Sequence, residues 1–294
     1  MKKRITMLLF CILIIISLKA QEKNLNGIPR IEYDEQNKSV ETFEAQYQYS
    51  SPQNVTGIDD IINELLDDIN ADSITSYLQT LEDFTTRFCL SENRKDVSNW
   101  IKGKFESFGY PTVKLDSFYL DDYTGYETWQ YNVVATVEGN MSPSEVIVIG
   151  GHHDAIISDI ESAFETAPGV DDNGSAVAAS LEIARVFALN GYQSEKTIKF
   201  ATFAAEELGL HGSHHFAEQA LQNNMNIKAM INMDMIANIQ STDDWNITFQ
   251  NYEGSEWLTA TGHYIAENFT SLNPSDVNNN SAYYDIYLFY SRGF

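Results

Sequence analysis

Histidine and carboxylate side chains recur in four short runs, in order, through the second half of the sequence. They are Gly150-Gly151-His152-His153-Asp154, Pro168-Gly169-Val170-Asp171-Asp172, Glu206-Glu207 and Asn232-Met233-Asp234. Three of them stand at or just beyond a β-branched or aromatic apolar run that reads as a strand. Brought together, such groups suit a pair of zinc ions, and a spare glutamate could activate water between them. The chemistry that follows is hydrolysis.

Each run also has a plainer reading. Asp154 is two residues from His152, so in extended backbone both side chains share a face. The carboxylate could then accept the second imidazole N–H and orient the ring, while His153 points the other way. Alone, a His-x-Asp pair is weak and reads as surface. Asp171-Asp172 precedes a helix in a Gly- and Pro-bounded loop, where carboxylates cap helices. The functional reading makes Asp171 a ligand bridging two metals. Glu206 and Glu207 end an apolar strand and would be costly to bury without cations. Adjacent residues diverge, so one could ligate while the other faces water. Asp234, between Met233 and Met235, repeats the pattern. Four such signals in one order are hard to obtain by chance.

The elements that must position these groups are legible from periodicity. Val146–Ile149 is a continuous apolar run, typical of a strand covered on both faces. Tyr131–Val137 alternates and suits an edge strand. Strands are also expected at Thr197–Phe203, Ile227–Met233 and Asn246–Gln250, and helices at Ala176–Leu189, His214–Leu221 and Trp257–Asn268. Upstream, helical stripes run over Ile58–Ile69, Ile74–Phe84 and Val97–Phe108, with Gly109 as a stop. The fold class predicted is α/β: three layers, α/β/α, around a mixed, mostly parallel sheet. Ligands then bind beyond the carboxyl ends of the strands.

The chain has 294 residues with 43% hydrophobic, enough for one sizeable domain. Its net charge of -24 argues against nucleic acid, which is bound through clustered Lys and Arg. Met1-Lys2-Lys3-Arg4, an apolar stretch to Leu18 and then Lys19-Ala20 describe a signal peptide over residues 1–20. Export to the periplasm or outside follows, with no stable membrane anchor, the apolar run being short for a span. Residues 21–56 read as a polar, propeptide-like lead-in, and residues 57–294 as the catalytic domain. After cleavage Cys89 alone remains, which excludes an intramolecular disulfide and suits a small packed hydrophobe.

Taken together, the Gly-His-x-Asp, Pro-Gly-x-Asp-Asp, Ala-Glu-Glu-x-Gly and Met-Asp motifs resemble the bacterial leucyl aminopeptidase group of zinc exopeptidases. The wider family also holds glutaminyl cyclases. Thr86-Arg87-Phe88-Cys89 and Trp100-Ile101 are similar to that family's N-terminal helices. The resemblance implies two zinc ions. His152 and Asp234 hold one, Asp171 bridges, Glu207 holds the other, Glu206 is the general base and Asp154 orients. It implies peptide or protein N-termini as substrate. The family's last ligand, a histidine in Ser-Asp-His-x-x-Phe-x-x-x-Gly, falls on Ile286 of Tyr284-Asp285-Ile286-Tyr287-Leu288-Phe289. The chain stops at Phe294, where relatives continue, so a fragment or a weakened second site is expected. His211, His214, His215 and His263 read as surface or helix residues. Three rivals stay open: an impaired homologue with one zinc, a glutaminyl cyclase-like acyl transferase, and an acidic periplasmic binding module.

Overall fold

A computed structural model describes residues 57–123, 126–237, 245–278 and 282–294. The expected signal peptide and lead-in lie outside the described residues.

Three N-terminal helices come first: α1 (Ile58–Asp67), α2 (Ala71–Asp83) and α3 (Arg94–Ser107). Asn70 starts α2 by accepting the backbone N–H of Asp72 and Ser73 at 2.9 Å each; such a cap is worth about 1 kcal/mol. Gly109, at φ +92°, follows α3 as the expected stop. Thr86–Cys89, expected to be helical, instead form the loop between α2 and α3, joined to Ala167 by a bridge at Thr86.

Five strands form the main sheet: β1 (Thr112–Tyr123), β2 (Tyr126–Val137), β3 (Ser142–His152), β4 (Lys196–Phe203) and β5 (Asn226–Asn232), ordered β1-β2-β4-β3-β5. β1 pairs antiparallel with β2, and β2 antiparallel with β4. β3 is parallel to both β4 and β5. The sheet is therefore mixed, with its parallel half where the sequence motifs fall. Tyr131–Val137 is not an edge: β1 lies outside it.

Two layers of helices cover the sheet, and the two-residue period of the strands sorts side chains between them. Ile147, Ile149, Ile198, Phe200, Val133 and Ala135 face one layer, built from α1, α2, α3 and α5 (Gly174–Leu189). Val146, Val148, Ala201, Phe203 and Val134 face the other, where Phe216 and Ala220 of α6 (His211–Gln222) and Phe289 of α8 (Ile286–Tyr290) pack. α5 is buried almost throughout because its alanines admit close approach to the sheet. Its Glu182, fully buried, is paired with Arg185 at 2.6 Å and accepts the Asn70 backbone N–H at 2.7 Å, tying α5 to the start of α2.

One short helix and three further elements complete the described residues. α4 (Ile160–Ala163) lies in the loop after β3, and α7 (Glu256–Phe269) carries Ile265 and Ala266 into the first core. β6 (Asn246–Asn251) is a strand as expected, but it pairs in parallel with β7 (Asn273–Asn278) in a separate two-stranded sheet. Among the described residues, no helix is long and apolar enough to cross a membrane.

Candidate metal centre

β3 delivers His152 as its last residue, level with Phe203 of β4. The preceding glycines explain how a helix comes so close. A Cβ on Gly151 would stand 2.4 Å from the Met233 carbonyl and 3.0 Å from the Ala176 Cβ, so only hydrogen fits between β3, β5 and α5. Asn173 caps α5 by accepting the Ala176 N–H at 3.2 Å and donates to the Met233 carbonyl at 3.0 Å. It is fully buried. One side chain thus fixes the loop before α5 against the end of β5, one residue from Asp172 on one side and, at Met233, one from Asp234 on the other.

The His152 ring has a defined orientation. Its Nδ1 donates to the Asp154 backbone carbonyl at 3.1 Å, and the Asp154 carboxylate is 3.6 Å from the same nitrogen. That leaves Nε2 facing Asp172 at 3.3 Å, Glu206 at 3.7 Å and Asp234 at 3.8 Å. Two groups have ligand atoms within 4.8 Å of one another: His152 with Glu206 and Glu207, and His152 with Asp172 and Asp234. His152 is shared by both.

Asp154 serves the site as a hub. It is 1% exposed, and its two oxygens accept the backbone N–H of Glu206 at 3.1 Å and of Glu207 at 3.3 Å. One carboxylate therefore sets both the β3 end and the β4 end. The chain reaches Glu206 through Ala205, held at φ +56°, and leaves Asp234 through Met235 at φ +50°. Left-handed backbone at non-glycine residues is costly and clusters at functional sites.

Of the adjacent pair Asp171-Asp172, it is Asp172 that stands in the group. Asp171 turns toward the opposite segment, accepting the Ala237 N–H at 2.8 Å, while its Oδ2 is buried without a partner. His153 turns the other way, as strand alternation requires, placing Nδ1 3.0 Å from the Thr202 hydroxyl and Nε2 3.3 Å from Ser98. His211, His214 and His215 lie on α6, away from both groups, and His263 meets Asp276 at 2.6 Å on the small sheet. Cys89 is a buried free thiol.

A residue without a forecast role underpins the loops. Arg87 is 2% exposed. Its Nε donates to the His153 carbonyl at 2.9 Å, Nη2 to Gly169 at 2.7 Å, and Nη1 to Leu81 at 3.3 Å and to Pro168. The guanidinium thus joins the end of α2, the end of β3 and the Pro168–Asp172 loop. Burial lowers its pKa to about 10, against the pull of Asp154, Asp172 and Glu207. The sequence signal was only its presence in Thr86-Arg87-Phe88-Cys89.

Electrostatics show what the cluster lacks. Burial pushes Glu206 up to about 9, with Asp285, Asp154 and Glu207 adding to the shift and His152 opposing it. Glu207 rises to about 7 through burial and then Asp154. Burial alone would lower His152, but the carboxylates of Asp154, Asp172 and Asp234 outweigh it and hold its pKa well above the usual value. Asp234 Oδ1 and Asp171 Oδ2 are buried with no hydrogen-bond partner. Crowded carboxylates with orphan oxygens around an imidazole nitrogen are the donor set a hard or borderline divalent cation satisfies.

A mixed-sheet α/β fold with imidazole and carboxylates gathered beyond its parallel strands defines an α/β protein with a candidate metal centre. More narrowly, the chain belongs to peptidase family M28, whose sequence profile matches residues 132–294. A probable zinc metalloprotease of Pyrenophora teres f. teres is 36% identical over 202 residues, covering 63% of this chain and 43% of that protein. The chain thus spans less than half the length of that relative. The LapA aminopeptidase of Legionella pneumophila shares the fold, with TM-score 0.70 at 21% identity over 87% of this chain and 66% of that one. So does a glutaminyl cyclase of Fimbriiglobus ruber, with TM-score 0.60 at 18% identity over 77% and 82%.

Proposed function

We propose that the protein is a zinc-dependent exopeptidase that hydrolyses N-terminal peptide bonds. The observation carrying this reading is the convergence of His152 with Glu206 and Glu207, and with Asp172 and Asp234, within 4.8 Å. In this reading His152 and Asp234 hold one zinc and Glu207 the other. Asp172, grouped with His152 and Asp234, would serve as a ligand in place of Asp171. Bound zinc would supply a water acidic enough to ionise near neutral pH and a Lewis acid for the scissile carbonyl.

The chain's own residues do the rest. Glu206, with only 11% of its side chain exposed and 3.7 Å from His152 Nε2, takes the proton of the nucleophilic water. It returns that proton to the leaving amine. Asp154 keeps the His152 ring and the Glu206 backbone in register. Remaining carboxylate charge at the mouth would bind a free ammonium, which restricts cleavage to the N-terminus. Residues 1–20 direct export, and residues 21–56 precede the catalytic domain.

The test is release of anilide from aminoacyl-p-nitroanilides, with chelation by 1,10-phenanthroline and restoration by zinc. Chelation-sensitive release supports the reading. Conversion of N-terminal glutamine to pyroglutamate without release of residues would replace it with acyl transfer. Folded protein with neither activity and no zinc uptake would leave a binding module.

A further inference from the structure

Asn132 stands inside β2, where asparagine is disfavoured, and it is fully buried. A buried amide is costly unless its donors and acceptor find partners. Here they do. Oδ1 accepts the Ala204 backbone N–H at 2.9 Å, and Nδ2 donates to the Gly212 carbonyl at 2.9 Å and to Asp116 of β1 at 3.3 Å. One side chain thus serves a backbone donor and a backbone acceptor at once. An ionised aspartate would lack the donor, and a leucine would lack both.

The two backbone partners are the ends of one loop. β4 stops at Phe203 and α6 starts at His211, and between them the chain carries Glu206 and Glu207. Val133 pairs with Thr202, so Asn132 comes level with the last residue of β4. Strand alternation gives it the face of Val134, which α6 covers. Space at the junction is fully used: a Cβ on Gly212 would stand 2.4 Å from both the Ala204 carbonyl oxygen and Asn132 Oδ1. The loop bends through Ala205 at φ +56° and Leu210 at φ +61°, and α6 begins without a side-chain cap. Left-handed backbone at such residues persists only where its surroundings impose it. Asp154 holds the crown of the loop through the N–H groups of Glu206 and Glu207, and Asn132 holds its foot.

We propose that Asn132 is a positioning residue for the reaction: by bracing Ala204 against Gly212 it fixes the loop from which Glu206 reaches the nucleophilic water. The inference deepens the exopeptidase reading and rests on it. Ala204 is two residues from Glu206, so slack at the foot of the loop displaces that carboxylate. The zinc held by His152 and Asp234 draws on other segments, so the loss should fall on kcat more than on zinc uptake or KM.

Steady-state hydrolysis of an aminoacyl-p-nitroanilide, with bound zinc counted on the same samples, tests the brace. Asn132→Leu should lower kcat by about 10- to 10²-fold with little change in KM or zinc content, since a misplacement of about 1 Å can cost that much. Gly212→Ala forces the same junction apart with Asn132 in place and should reproduce the loss. Asn132→Asp keeps the acceptor for Ala204 and regains a donor only when protonated, a form that the neighbouring Asp116 favours. Its kcat relative to the unmodified chain should therefore recover as pH is lowered, and this conservative variant keeps the test open if the leucine variant does not fold. Undiminished kcat in the folded variants, or a loss that matches lost zinc, would overturn the inference while sparing the exopeptidase reading. An unmodified chain that releases no chelation-sensitive anilide would overturn both.

Discussion

Asp154 and Asp234 stand on opposite sides of one imidazole, 3.6 Å from Nδ1 and 3.8 Å from Nε2 of His152. Asp154 accepts two backbone N–H groups and its pKa is held below the usual carboxylate value by His152 and those bonds, despite burial. Asp234 Oδ1 is buried without a hydrogen-bond partner. The difference separates two jobs. Where the protein itself supplies donors, it has fixed geometry; where it leaves oxygens bare, it has left room for a cation. Side chains of the first kind should matter to folding with or without metal, and those of the second kind only to what is bound.

The largest effect expected belongs to chemistry. Glu206→Gln preserves shape and removes the base, so kcat on an aminoacyl anilide should fall by about 10²- to 10⁴-fold while zinc uptake changes little. A comparable kcat in the amide variant would remove Glu206 from its role. Next comes Arg87→Met. It strips donors from the carbonyls of His153, Pro168, Gly169 and Leu81, and unpaired buried acceptors cost about 1–3 kcal/mol each. Chemical denaturation of the metal-free protein should show a loss of at least about 3 kcal/mol. Full stability would mean that the loops stand without this clasp.

A pH dependence of intermediate size follows from the crowded glutamates. Their folded pKa values, about 9 for Glu206 and about 7 for Glu207, lie above the ordinary 4.5, so the folded state binds more protons than the unfolded chain in between. Stability of the metal-free protein is then highest near pH 5 and falls as pH rises toward about 9. Zinc should flatten that slope, as read from midpoints of thermal unfolding across pH. The smallest effect is expected for Asp234→Asn: metal-free stability should stay within about 0.5 kcal/mol or rise, while zinc affinity drops. Equal loss of stability in Asp234→Asn and Arg87→Met would erase the distinction between the two sides.

Legibility in the sequence followed the same division. Buried strands such as Val146–Ile149 and Thr197–Phe203 and the helices beside them were readable because burial on both faces leaves continuous apolar runs. β1 went unread since its outer position tolerates Lys114, Asp116 and Asp121, and with it unseen β2 passed for an edge. His152, Asp154, Glu206, Glu207 and Asp234 could be picked out at strand ends. Choosing between Asp171 and Asp172 could not be done by pattern, because a loop has no period to say which neighbour turns inward. Arg87 was illegible for another reason. Its contacts reach 66 to 82 residues along the chain, and no local signal encodes them. β6 was readable as a strand, but its partner β7 was not.

Arg87 also lies upstream of residues 132–294, the stretch that matches the family. A cut at residue 132 would fall inside β2, discard the antiparallel neighbour of that strand and uncover Phe200 where Phe105 stacks on it at 5.9 Å. The portion that carries the recognisable motifs is therefore not an autonomous folding unit. It borrows its floor, and the anchor of its ligand-bearing turn, from the seventy-odd residues before it.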